Sequence, residues 1–187
     1  MESDRIRWDE KYKQGPYPIE VSPIVSAYSY LANKGYALDI AAGRGRNSLF
    51  LANQGFIVDA IDISHVGLSE IRGKSQNINT IQQDLDLFQP APTFYDLVIN
   101  INFLKRDLYS KIISTLKVGG ILIFQTFFYD PDRSESLPKK NINYYLKVNE
   151  LLQEFSSLRI ILYQENEEKT LDGTMQRVAS LVGQKIK

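Results

Sequence analysis

An aspartate, two glycines and two arginines crowd the segment Ala37-Leu-Asp39-Ile-Ala41-Ala-Gly43-Arg44-Gly45-Arg46-Asn-Ser48. Glycines between a buried strand and a helix let backbone N–H groups approach a ligand at the helix N-terminus. Such a loop suits a nucleotide-like ligand, and its other residues narrow the choice. Ser48 stands where the G-x-G-x-x-G pattern of dinucleotide sites ends in glycine, and no Lys-Ser/Thr follows the glycines as in a P-loop. Asp39 lies inside the strand that feeds the loop. Its carboxylate would repel a pyrophosphate but could hold an ammonium group, directly or through water. Arg44 and Arg46 offset part of that repulsion, so an NAD-type oxidoreductase is disfavoured but stays open. A non-catalytic protein that keeps the fold to bind a partner is the other alternative.

Two more acids close the next apolar runs. Asp62 ends Val58-Asp-Ala-Ile-Asp62, where a carboxylate can accept both hydroxyls of a ribose. Asp62 with Ser64 also reads as a helix start, and the two roles are compatible. Asp84 ends Ile81-Gln-Gln-Asp84 and offers an acceptor for an adenine amino group, or is a plain loop acid. An acid at the end of each of three strands fits a ligand with an ammonium group, a ribose diol and an exocyclic amine. S-adenosylmethionine carries all three.

The composition removes other chemistries. The chain has 187 residues, no cysteine and one histidine. Disulfides, Cys-ligated metals and thiol nucleophiles are therefore excluded, as is any site that needs two imidazoles. His65, next to Ser64, reads as structural or as a surface residue, and no metal site is expected. The 22 basic and 22 acidic side chains cancel, which gives no global attraction to nucleic acid or acidic lipid. The N-terminal segment is charged from its second residue, unlike a secretory signal, and no run approaches the ~18–20 apolar residues of a membrane span. A cytoplasmic protein acting on a small molecule, without nucleic-acid or membrane partners, is expected; the oligomeric state is left open.

These side chains need a scaffold, and the spacing supplies one. Tyr36–Ala41, Phe56–Ile61, Tyr95–Ile101 and Ile121–Phe128 are dense in aliphatic residues, and Asn77–Gln82 is a weaker fifth run. Leu49, Phe50 and Ala52 recur at helical spacing after the first run, and Leu108, Ile112, Ile113 and Leu116 do so after the third. Alternating strand and helix predicts an α/β fold with a parallel sheet covered on both faces. Gly119-Gly120 reads as a turn into the Ile121 strand. A helix around Val148–Phe155 then leads to strands Leu158–Gln164 and Met175–Gly183. The charged stretch Glu165–Gly173 between them is too short for a crossover, so that pair must be antiparallel. Asp130–Asn141 is the one long irregular stretch, and nothing divides the chain into two domains.

The run ALDIAAGRGRNSLFLANQGFIVDAIDIS resembles the class I S-adenosylmethionine-dependent methyltransferases, and more narrowly the small tellurite-resistance (TehB-like) methyltransferases. The likeness reaches upstream to Trp8-Asp-Glu-Lys-Tyr12 and Pro18–Pro23. It continues through Asp84-Leu85, Asp96-Leu-Val98, Phe103-Leu-x-Arg106, Leu116-Lys-x-Gly-Gly120, Thr126-Phe127 and Val148-Asn-Glu-Leu-Leu152, which covers most of the chain. The resemblance implies a Rossmann-like, seven-stranded, mostly parallel sheet of order 3-2-1-4-5-7-6 with the last strand antiparallel. It also implies one methyltransferase domain, with residues 1–34 as an N-terminal helical lid segment and 35–187 as the α/β core. Asp39, Gly43 and Gly45 would then surround the methionine end of the cofactor, with Arg46 a candidate for its carboxylate. Asp62 would hold the ribose and Asp84-Leu85 the adenine, while Ala41, Ile63 and Asn100 complete the expected cofactor-binding set.

The acceptor is less defined. The fourth run ends Asn100-Ile-Asn102-Phe103, without the N/D-P-P-Y/F of amino-methylating relatives. Transfer to sulfur, selenium or tellurium needs little acid–base help, because alignment supplies most of the rate. A small, soft or anionic acceptor is therefore expected: a thiol, an oxyanion of selenium or tellurium, or a small metabolite. The pocket candidates are Trp8, Tyr12, Tyr17, Phe103, Arg106 and Arg177, and no catalytic acid or base is assigned. Asp130–Asn141, with Pro131, Pro138, Lys139 and Lys140, is a candidate cover for that acceptor.

Overall fold

Short apolar runs alternating with amphipathic turns leave each strand two faces to bury, and the chain solves this with one central sheet. Strands β1 (Tyr36–Ile40), β2 (Ile57–Asp62), β3 (Ile78–Gln82), β4 (Tyr95–Ile101), β5 (Leu116–Phe127), β6 (Arg159–Lys169) and β7 (Met175–Gln184) are hydrogen-bonded in the order β3-β2-β1-β4-β5-β7-β6. The pairs from β3 through β5 are parallel, and β7 runs antiparallel between β5 and β6. The expected sheet order and terminal antiparallel pair are thus borne out. The computed structural model describes residues 2–15, 17–133, 141–169 and 175–187.

Successive strand residues point to opposite faces, and each face carries its own core. On one side Ala37, Val58, Leu97 and Ile99 meet Ile24 and Val25 of helix α2 (Pro23–Tyr28) and Leu51 and Ala52 of α3 (Arg46–Asn53). Helix α4 (His65–Ser69) adds Leu68 over Ala60 of β2. On the other side Leu38, Ile40, Val98 and Leu122 pack under Tyr109 and Ile112 of α5 (Tyr109–Thr115) and Leu151 of α6 (Glu150–Glu154). A different principle holds helix α1 (Glu2–Gln14): its one buried residue is Asp9, a carboxylate.

Two segments differ from expectation. Gly119-Gly120 does not precede a strand but lies within β5, which begins at Leu116. Tyr95 pairs with Leu116 and Leu97 with Ile121, so Lys117–Gly120 bulge out opposite Asp96, with Gly119 at φ 84°. Glycine tolerates that left-handed backbone, and the strand pairing resumes on either side of it. Glu165, Glu167, Glu168 and Lys169 belong to β6 instead of a turn. β6 is an edge strand, so its charged side chains reach solvent or neighbours without crossing a core. Glu168, for example, accepts from Gln125 Nε2 at 2.9 Å. The rest of the expected turn, 170–173, lies outside the described residues.

Candidate cofactor site

The carboxyl ends of β1 and β2 meet at one loop. Past Ile40 the chain turns through Ala41 (φ 55°), Gly43 (φ 59°) and Gly45 (φ 70°), and the last of these is the N-cap of α3. Three left-handed residues in five make a tight turn that side chains resist. At Gly45 space is short as well, since an added Cβ would lie 2.4 Å from Ile71 Cδ1. Ala41 is the exception, a side-chain-bearing residue held in the left-handed region.

Asp39 lies beneath this loop, 2% exposed, and accepts from Ser48 Oγ at 2.6 Å. Ser48, where the dinucleotide pattern would have glycine, is thus the partner of the strand acid. Burial pushes the Asp39 carboxyl up to about 7, against the lowering effect of Ser48 and with a further rise from Asp62. Asp62 closes β2, 5% exposed, and accepts from Gly43 N and Ser64 N, each at 2.8 Å. Burial raises its carboxyl too, partly countered by those two amides. Asp62 therefore fixes the glycine loop against the β2–α4 turn. Ser64 Oγ accepts from Gly67 N at 3.1 Å and caps α4, as the helix-start reading expected.

The N-terminal segment covers the loop. Trp8 stacks on Tyr12 with centroids 5.6 Å apart, and Tyr17 packs on Tyr12 at a tilt, 4.9 Å away. Tyr12 Oη lies 2.7 Å from where a Gly43 Cβ would be, and its ring also borders Gly67. Burial and the nearby Asp62 raise the Tyr12 hydroxyl far above its ordinary range, so it stays protonated. Arg46 Nη1 donates to Glu20 O at 3.1 Å, and Asn47 Oδ1 accepts from Ser22 N at 2.9 Å. These two residues of α3 thus tether the segment that leads to α2. Arg44 pairs with Glu70 at 3.2 Å.

A cavity of about 220 Å³ opens at the carboxyl ends of β2 and β3, lined by Ile63, Gln82, Gln83 and Asp84 and by Glu2 and Arg5 of α1. Leu85 faces the core instead, 6% exposed. Asn100, 1% exposed, donates from Nδ2 to Phe103 O at 2.7 Å, which pins the turn after β4, and half-buried Phe103 packs on the core. Arg106 stands apart from the loop: it forks onto Glu150 at 2.7 and 2.9 Å and donates to Asn143 O and Tyr145 O. Burial would raise Glu150, but Arg106 outweighs it and holds the carboxyl below its ordinary range. Arg177 pairs with Glu167 at 3.1 Å and lines a second cavity, about 280 Å³, with Phe127, Tyr145 and Met175. Residues 134–140, including Pro138, Lys139 and Lys140 of the expected cover, lie outside the described residues. Among the described residues no cluster suits a metal ion and no helix is long and apolar enough to cross a membrane.

Sequence reading missed Asp9. It accepts from Ser64 Oγ at 2.5 Å, Arg5 Nη1 at 2.8 Å and Val66 N at 3.4 Å, with His65 Nδ1 at 3.1 Å. An acid amid exposed polar neighbours carries no local signal of burial, because its partner Ser64 is distant in sequence. Gly67 was missed for the same reason: a Cβ there would lie 2.8 Å from Gly43 O.

Residues 37–120 match the family model of the methyltransferase domain. A Bacillus subtilis protein named as a methyltransferase, YqeM, is 33% identical over 129 residues, 63% of this chain and 51% of that protein. The chain thus spans about half the length of that relative. TehB from Haemophilus influenzae shares the fold with a TM-score of 0.75 at 20% identity, over 97% of this chain and 66% of that one. The 1,6-didemethyltoxoflavin-N1-methyltransferase of Burkholderia thailandensis, solved with its substrate and S-adenosylhomocysteine, superposes with a TM-score of 0.72 at 14% identity, over 99% and 87% of the two chains. The resemblance to class I methyltransferases, with TehB among them, is borne out.

Proposed function

We propose that this chain is an S-adenosylmethionine-dependent methyltransferase acting on a small, soft or anionic acceptor. The observation that carries the cofactor is Asp62. Its carboxylate closes β2, takes Gly43 N–H and Ser64 N–H, and still has lone pairs for a ribose diol, since a carboxylate offers about four acceptor sites. Residues 37–120, the matched methyltransferase region, contain that whole constellation except the N-terminal cover.

The residues present fit the group. Gly43 and Gly45 bring backbone close to it, and the buried carboxyls of Asp39 and Asp62 favour a cation nearby. The bound sulfonium would supply an activated methyl group. The chain's own work is then orientation and exclusion of water, with Asp62 on the ribose, Asp84 and Ile63 beside the base, and Asp39 beneath the charged end. Tyr12, protonated, closes the loop side.

The acceptor reading draws on the second cavity. Its aromatic and thioether walls, Phe127, Tyr145 and Met175, suit a polarisable ligand, and Arg177 brings a cation to it. The test is a methylation screen with labelled S-adenosylmethionine against thiols, selenium and tellurium oxyanions, small metabolites, DNA and folded protein. Turnover confined to small acceptors supports the reading. Robust methylation of DNA or protein, with none of small acceptors, contradicts it.

A further inference from the structure

Helix α1 is held on the molecule in an unusual way. Of its thirteen residues only Asp9 is buried, and no apolar stripe faces the core. Ile6 is exposed, and the apolar contribution of α1 comes from the half-buried rings of Trp8 and Tyr12. A helix without a buried apolar face takes little stability from its sequence alone. Its polar anchor is one carboxylate that reaches the N-terminal turn of α4. Asp9 takes the Ser64 hydroxyl and the Val66 amide there, with His65 beside it. Burial raises the Asp9 carboxyl, but those hydrogen bonds and His65 outweigh it and keep it below its ordinary range, so it is charged at neutral pH.

What α1 covers is the cofactor cleft. Glu2 and Arg5 wall the cavity beside Asp84, and Tyr12 fills the notch over Gly43 and Gly67. Asp62, whose oxygens a ribose must reach, is 5% exposed with Tyr12 in place. Tyr12 sits against Gly43, whose amide Asp62 accepts, so the ring borders the approach to the acid.

We infer that Asp9 is a positioning residue, the latch that holds α1 shut over the cleft, and that its release from Ser64 is the step that opens Asp62 to the cofactor. The inference rests on the cofactor reading above only for what enters the cleft; the latch itself is a property of the free protein. The two carboxylates share one residue, since Ser64 gives its amide to Asp62 and its hydroxyl to Asp9. Closure of α1 is thereby registered on the same turn that sets the ribose acid.

The test compares wild type with Asp9→Ala and Asp9→Asn, using two sets of readouts. In ligand-free protein, hydrogen exchange of the α1 amides and fluorescence of Trp8, the sole tryptophan, report closure directly. Asp9→Ala should speed α1 exchange at least ~10-fold while core strands keep wild-type protection, and Asp9→Asn should do so less. Trp8 is half-buried, and its exposure to water on release of α1 should shift its emission. With S-adenosylhomocysteine in stopped flow, association and dissociation should both quicken in Asp9→Ala, by ~5-fold or more, while Kd moves less than either. Unchanged α1 exchange overturns the latch. Faster α1 exchange with unchanged association overturns its role as a gate. If wild type binds no S-adenosylhomocysteine, the functional reading fails separately, and the ligand-free measurements alone decide the latch.

Discussion

Asp9 and Asp62 stand on either side of Ser64, one accepting its hydroxyl at 2.5 Å and the other its amide at 2.8 Å. A residue from the covering helix and a residue from the sheet are thus joined through a single serine. The glycine loop enters the same network, because the second Asp62 oxygen takes Gly43 N.

Removing Asp62 should therefore cost both binding and loop order. Asp62→Ala should weaken S-adenosylhomocysteine binding by about 2–3 kcal/mol, from lost charge-assisted hydrogen bonds and two orphaned amides. Asp62→Asn should lose less. Calorimetry checks this, and equal affinity of Asp62→Ala and wild type would reduce the acid to a cap.

The two loop glycines should behave differently. Gly45→Ala forces a left-handed alanine against Ile71, which is fully buried and cannot yield, so stability should fall by about 2–4 kcal/mol. Gly43→Ala meets the Tyr12 hydroxyl instead, which can swing away with α1. Its loss of stability should be smaller and accompanied by a change in Trp8 emission. Urea unfolding with fluorescence separates the two.

Ala41 offers the converse. At φ 55° an alanine is strained, and Ala41→Gly should stabilise the fold by about 0.5–1 kcal/mol in thermal or urea unfolding. An unchanged or lowered stability would mean that the Ala41 methyl packs well enough to outweigh the strain.

Much of this was legible in the chain. The aliphatic runs, the helical spacing between them and the short charged link near the end gave the α/β class and the antiparallel pair. The family resemblance added the sheet order. Local patterning failed where the outcome depended on distant neighbours. The β6 charges looked like a turn because a period-based reading does not know that a strand lies at an edge. Gly119-Gly120 looked like a boundary because a bulge and a turn use the same residues. Arg106 carries no hint of Glu150, nor Asp9 of Ser64, since both pairs form only when the sheet brings remote segments together.

Asp39 predicts a pH signature. Its carboxyl sits at about 7 in the folded protein, against about 4 for an ordinary aspartate. The folded state then holds a proton that the unfolded state has released between those values. Its contribution to stability is full below pH ~4, falls as pH rises toward 7 and is flat above. Asp39→Asn, which keeps an acceptor for Ser48, removes that slope, so its stability relative to wild type should improve from pH 5 to 7.5. A cation prefers the ionised form, so affinity for S-adenosylhomocysteine, which carries the ammonium group, should rise with pH through 7 in wild type and change less in Asp39→Asn.

The most direct test of the cofactor assignment is titration of the purified protein with S-adenosylhomocysteine in a calorimeter, with NAD run in parallel. Ligand that binds only the folded state also raises the melting temperature by mass action, which gives a second reading of the same event. The account predicts saturable binding of S-adenosylhomocysteine, a raised melting temperature and no response to NAD. No heat and no melting shift at millimolar S-adenosylhomocysteine, or saturable binding of NAD instead, would contradict it.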